Sequence, residues 1–163
     1  MKMAFANFPY LSCILLSCVI GLLIILFLPE RRKQEIKWVS AIFSGIPLAL
    51  SLYLFLAYDK SIGGLQFVEK IMWVKSLGIT YFNAADGFNL PNLLLTGIVF
   101  FTGVLTMWEL QNRVKEFYAL YFLLVTGVFG LFMSMDLFFI FVWYDVSLFP
   151  MYLLIVVWGT TRK

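Results

Sequence analysis

Apolar positions run along this chain in five long blocks, Phe8–Leu28, Trp38–Tyr58, Pro91–Trp108, Phe117–Met133 and Leu137–Trp158, with polar residues gathered between them. Spanning a hydrocarbon core of about 30 Å takes about 20 helical residues at about 1.5 Å each, and every block is close to that length. Lipid leaves no partner for a free backbone N–H or C=O, so each block is predicted to be a helix. The pattern gives an all-α integral membrane protein whose residues 1–163 form a single transmembrane region. Three connections are short, at 29–37, 109–116 and 134–136, while 59–90 forms one long external loop. Gly63-Gly64, Gly78 and Asp86-Gly87 mark turns within it. Ile79–Phe82 reads as a short strand and Ile71–Val74 as a segment at the membrane interface. The first block is too long for a signal-peptide core, and its basic cluster follows it where a signal peptide's would precede it.

Small residues at helical spacing predict where the helices meet. Ser17 and Gly21 form a small-xxx-small pair in the first block. Thr96, Gly103 and Thr106 share a flank of the third, and Thr126, Gly130 and Ser134 repeat every four residues through the fourth.

Composition narrows the chemistry. The chain is 63% hydrophobic, 19% aromatic and 13% charged, far more apolar than a soluble domain. Its net charge of +3 is small and scattered, which argues against a nucleic-acid partner. There is no histidine, hence no usual haem ligand and no usual general base. Cys13 and Cys18 lie five apart on one predicted helix and face different ways, so they read as packing residues rather than a disulfide or cluster site. Redox chemistry would have to reside in partner chains. Lysine and arginine set the orientation: 29–37, 109–116 and 159–163 hold eight, against four (Lys2, Lys60, Lys70, Lys75) on the other side. The positive-inside rule then puts the N-terminus outside and the C-terminus inside.

One block carries an acid. Asp145 lies eight residues into Leu137–Trp158, roughly 12 Å from its start and near the bilayer middle. A carboxylate there costs about 2.5–3.5 kcal/mol on insertion scales, so it is expected to face a bundle interior or a wet cavity. Pro150, five residues on, lacks the N–H that would pair the Val146 carbonyl, and opens the helix beside the acid. Asp145 is therefore the candidate proton-transfer residue and Pro150 its helix-breaking support. Asp136, just before the block, suits a helix N-cap and reads as structural.

These residues resemble a known family. The stretch Trp143-Tyr-Asp-Val-Ser-Leu-Phe-Pro-Met-Tyr-Leu-Leu-Ile-Val-Val-Trp-Gly159 is similar to the fifth transmembrane helix of the antiporter-like subunit of respiratory complex I, called chain M in bacteria and chain 4 in mitochondria. That helix shows an acid, four residues, Pro-Met-Tyr and a closing Trp-Gly; Asp145, Pro150, Met151, Tyr152, Trp158 and Gly159 stand in those places. Phe67-Val-Glu69-Lys, Trp73, Leu77-Gly-Ile-Thr-Tyr81 and Asp86-Gly87 before Pro91 resemble the external loop ahead of the family's third helix. The resemblance implies the N-terminal portion of a proton-translocating subunit in the membrane arm of NADH:quinone oxidoreductase. It also implies that this chain holds no catalytic redox site, cofactor or metal, with NADH, FMN, iron–sulfur clusters and quinone handled by partner subunits. Expected partners are other hydrophobic membrane-arm subunits and the bilayer, in a bacterial inner membrane ahead of a mitochondrial or thylakoid one.

Two departures stand out. The family acid is a glutamate paired with a lysine on a later helix, whereas this chain has the shorter aspartate. The paired lysine belongs to family sequence beyond residue 163, and no lysine falls inside the apolar blocks here. Two other readings follow: a subunit of a related cation/proton antiporter or membrane-bound hydrogenase, and a structural or assembly protein in which Asp145 is vestigial.

Overall fold

The computed structural model describes residues 8–61 and 63–159. Its order is α1 (Tyr10–Phe27), α2 (Lys33–Ala57), β1 (Gln66–Val74), β2 (Ile79–Ala85), α3 (Asn89–Thr106), α4 (Val114–Met133) and α5 (Leu137–Trp158), with 3-10 turns at Lys75–Leu77 and Met107–Glu109. All five helices are long and apolar enough to cross a membrane. Lys2, Arg162 and Lys163, which enter the orientation argument, lie outside the described residues.

The helices pack as a folded ribbon in which α1 lies against α2 and α4, α2 against α3, and α4 against α5. Leu11, Ile14 and Cys18 of α1, Phe100 of α3, and Tyr118, Phe122 and Phe129 of α4 form the buried centre. Cys18 is a packing residue and both cysteines are free thiols. Gly21 fits as expected: a Cβ there would meet Phe43 Cβ at 2.9 Å and overlap the Phe122 ring. Thr126, Gly130 and Ser134 also form a packing stripe. Thr126 and Ser134 are buried, and Gly130 lies under the Trp143 indole of α5.

The face predicted for α3 holds in part: an added Cβ at Gly103 would overlap the Tyr121 hydroxyl of α4, but most of the buried side of the helix lies elsewhere. Its buried side is Leu93, Gly97, Phe100 and Val104, while Thr106 is exposed and donates back to the Thr102 carbonyl at 2.8 Å. The close approach to α2 falls at Gly97, where a Cβ would lie 3.1 Å from Leu48 Cα. Threonine hydroxyls satisfied within their own helix give no pull toward a neighbour.

The start of α2 and the external loop differ most from the pattern. α2 starts five residues ahead of its apolar block because its lysines find carbonyls. Lys33 Nζ donates to Gln111 O at 2.7 Å, and the buried Lys37 donates to Trp108 O. Lysines therefore do lie inside spanning helices, near their ends: Lys33 and Lys37 of α2 are anchored to the turn after α3, and Lys115 stands in the first turn of α4. The external loop is also more ordered than its turn signals suggest. Ile71–Val74 is part of β1, paired antiparallel with β2 through Lys70↔Phe82, Ile71↔Tyr81 and Met72↔Thr80. Periodicity gives an isolated charged strand no partner, so only the second strand was visible in the sequence. The pairing slips between Gln66 and Glu69, where Phe67 takes a positive φ of 53°. A bulge of this kind re-aims the side chains that follow it, Glu69 among them.

Candidate functional site

The acids singled out in the sequence divide between two places. Three of them seat the helix ends on the hairpin side. α1 begins after Pro9 with no cap of its own. Glu69 of β1 supplies one: its carboxylate accepts from Leu11 N at 2.8 Å, from Ser12 N at 3.0 Å, and from Ser12 Oγ. The Ser12 hydroxyl also contacts Tyr81 Oη of β2 at 3.0 Å, and burial raises that phenol above its ordinary value. A carboxylate on the first turn pairs orphan N–H groups and opposes the positive end of the helix dipole.

Asp86 performs the same task for α3. Its Oδ1 accepts from Phe88 N at 2.9 Å and Asn89 N at 2.7 Å, while Asn89 Oδ1 accepts from Asp86 N at 2.7 Å. This is a reciprocal capping box built from Asp and Asn, with Gly87 as its first turn residue and Pro91 behind it. Asp136 caps α5 by accepting from Phe138 N at 2.9 Å. Its other oxygen accepts from Thr80 N at 3.0 Å and Thr80 Oγ1 at 3.1 Å, which ties the hairpin to α5. The Thr80 amide holds the Asp136 carboxyl below the usual carboxylate range, against a partial opposing effect of burial.

Glu69→Gln leaves an amide N–H₂ facing helix N–H groups and should cost about 0.5–2 kcal/mol, the range for a lost cap, read as a lower melting temperature in detergent. Asp136 has a lower proton affinity folded than unfolded, so its contribution is full above the ordinary carboxylate value and is lost as pH falls through the folded one. Proteolysis of the 75–79 turn should therefore speed up as pH drops below about 4. Asp136→Asn should remove that pH dependence and loosen the hairpin at every pH, since one amide oxygen cannot serve both Phe138 and Thr80. An N-cap role alone would let asparagine substitute freely; the second clasp to Thr80 overturns that.

Asp145 lies elsewhere. It sits within α5 on an exposed face, and its carboxylate has no hydrogen-bond or ion-pair partner among the described residues. The expected bundle interior is thus not supplied by these five helices. Phe141, Phe149, Tyr152 and Ile155 are exposed on the same helix. Pro150 is the only α5 residue buried outright, and the helix continues through it to Trp158. At that end Trp158 meets Phe117 edge-on at 5.5 Å with Arg113 over its ring at 5.6 Å. Gly159 turns out of the helix where a Cβ would overlap the Ile155 carbonyl. Tyr152, Trp158 and Gly159 therefore separate into one exposed residue and a helix-end seat. No group of three or more candidate metal ligands occurs among the described residues.

Five spanning helices, capped on one side by a hairpin and carrying one mid-helix acid on an outward face, define a polytopic helical membrane protein. No protein-family model matches the chain. Individual relatives do. The NAD(P)H-quinone oxidoreductase chain 4 2 of Microcystis aeruginosa is 35% identical over 162 residues, covering 97% of this chain and 29% of that protein. The corresponding chain 4 1 of Synechococcus elongatus is 34% identical over 158 residues, covering 96% and 30%. The chloroplastic chain 4 of Chara vulgaris is 34% identical over 158 residues, covering 96% and 32%. The chain is a relative of NAD(P)H-quinone oxidoreductase chain 4, and it spans roughly 30% of the length of the relatives it matches.

Proposed function

We propose that this chain is a segment of the membrane arm of a NAD(P)H-quinone oxidoreductase, corresponding to the N-terminal part of chain 4, and that Asp145 carries protons there. One observation bears most of the weight. A carboxylate stands near mid-membrane on a face its own helices leave open, in a chain similar over 97% of its length to a quinone-oxidoreductase subunit. Lipid can cover the exposed phenylalanines beside it but cannot solvate a carboxylate. The face therefore calls for further protein or a wet cavity, which a larger membrane assembly would provide.

The chemistry at Asp145 is proton loading and release. A cation brought close on a neighbouring helix favours the carboxylate, and its withdrawal favours the acid. A moving partner charge would thereby drive uptake and release. Pro150 assists by leaving the Val146 carbonyl without its helical donor, one turn from the acid. NAD(P)H oxidation, FMN, iron–sulfur clusters and quinone reduction belong to partner subunits in this reading. A bacterial inner membrane is the location favoured by the reading, and the Chara vulgaris relative makes a thylakoid membrane the next one to examine.

Blue-native electrophoresis of membranes in mild detergent tests the assembly. The chain should migrate in a large complex with NAD(P)H dehydrogenase activity in the gel, and a stable free monomer would count against it. Orientation has its own check. A cysteine at Ser61 should react with an impermeant maleimide from outside and one at Gln34 only from inside, because the basic residues favour the side of Gln34.

A further inference from the structure

Where α1 hands over to α2, a cleft of about 410 Å³ opens against the start of α4. Glu30 and Lys33 form one wall and residues 111–116 the other. Arg113 and Glu116 are ion-paired, so the charges left for the cleft are Lys33, Lys115 and Glu30. Lys33 spends one N–H on Gln111 O and keeps two. Lys115 is half-buried with no acceptor among the described residues. An apolar groove adjoins this cleft. Glu30, Lys115 and Glu116 stand at its mouth, and it runs over Leu26 of α1, Ala119 and Leu120 of α4, and Leu153 of α5. The charged cleft and the apolar groove, the latter of about 350 Å³, thus share Glu30, Lys115 and Glu116 on the outside of the bundle.

We propose that cleft and groove together bind one anionic, hydroxyl-bearing glycerophospholipid of the phosphatidylglycerol kind. The phosphodiester lies between Lys33 and Lys115, a headgroup hydroxyl donates to Glu30, and one acyl chain follows the groove. The charges match: two lysines and one glutamate leave a single positive charge for a single phosphodiester. A zwitterionic choline headgroup would leave that charge uncompensated and offers Glu30 no donor. Free phosphate would leave the apolar groove unused. Basic pockets between helices at the cytoplasmic face are a recurrent form of headgroup recognition. Nothing in this proposal depends on the role of Asp145.

The test is native mass spectrometry of the chain released from its detergent-solubilised, delipidated assembly after titration with phosphatidylglycerol, phosphatidylcholine or inorganic phosphate. One phosphatidylglycerol should bind, phosphatidylcholine should bind at least about fivefold more weakly, and inorganic phosphate should not compete. Lys115→Gln breaks no contact and should weaken binding about fivefold, with a further similar loss on adding Lys33→Gln. Ala119→Phe fills the groove without changing charge and should also lower occupancy. Each variant's melting temperature controls for folding. Equal binding of both lipids, retention of phosphatidylglycerol by the double lysine variant, or displacement by inorganic phosphate would overturn the proposal. So would absence of any lipid adduct on the parent chain, the outcome if another protein segment fills the groove.

Discussion

Gly127→Val should unseat α5 from α4 and deplete the chain from the proposed membrane-arm complex. A Cβ at residue 127 would lie 2.8 Å from Ser147 N and 2.9 Å from Trp143 O, both backbone atoms of α5. Neither can swing aside as a side chain would, so the helices must separate. Overpacking costs about 1–3 kcal/mol even where side chains can adjust, and a backbone clash belongs at the upper end. The loss is amplified because close approach is how membrane helices gain contact at all; lipid tails compete with any looser packing. Gly130, beneath the Trp143 indole, should behave similarly. Gly45→Ala is the matched control, since a Cβ there meets only Phe101, at 3.8 Å. Blue-native gels should show the Gly127 variant depleted from the complex and the Gly45 variant retained.

The second large effect is Asp145→Asn. The amide keeps the shape and exposure of the acid and removes its titration. The position has no protein partner among the described residues, so assembly should survive the change. Quinone reduction driven by NAD(P)H should fall about tenfold or more, a modest figure for losing a positioned proton carrier. Asp145→Glu should be tolerated, its extra methylene giving a longer reach toward a partner cation. Asp136→Asn loosens the hairpin but leaves Asp145 in place, so it should lower stability without the same loss of turnover. That contrast separates a proton-linked acid from a structural one on the same helix.

Much of the architecture was legible because membrane helices obey a length rule. Leu137–Trp158 runs between the same residues in pattern and in structure, since Asp136 caps one end and Gly159 breaks the other. The start of α2 was not legible, because polar residues can extend a helix once Lys33 and Lys37 find carbonyls from the α3–α4 turn. Pro47, buried inside α2, passed without signal, as a proline can when a long helix continues around it. The roles of Glu69 and Asp86 were hidden for different reasons. Asp86 and Asn89 are three apart, so their capping box could have been found from spacing alone. Glu69 caps a helix 57 residues earlier in the chain, and only the bulge at Phe67 and the β1–β2 register bring it there. Asp145 was singled out by its chemistry, but the face it occupies follows from which residues of α4 and α5 interlock.

The most direct measurement is the number of protons taken up per quinone reduced, in sealed membrane vesicles energised with NAD(P)H. Parent and Asp145→Asn complexes should be compared at matched assembly on blue-native gels. If Asp145 carries protons, the ratio falls in the variant while the complex stays intact and Asp145→Glu restores it. An unchanged ratio in an intact Asp145→Asn complex would contradict the proposed role and leave the acid without a part in pumping.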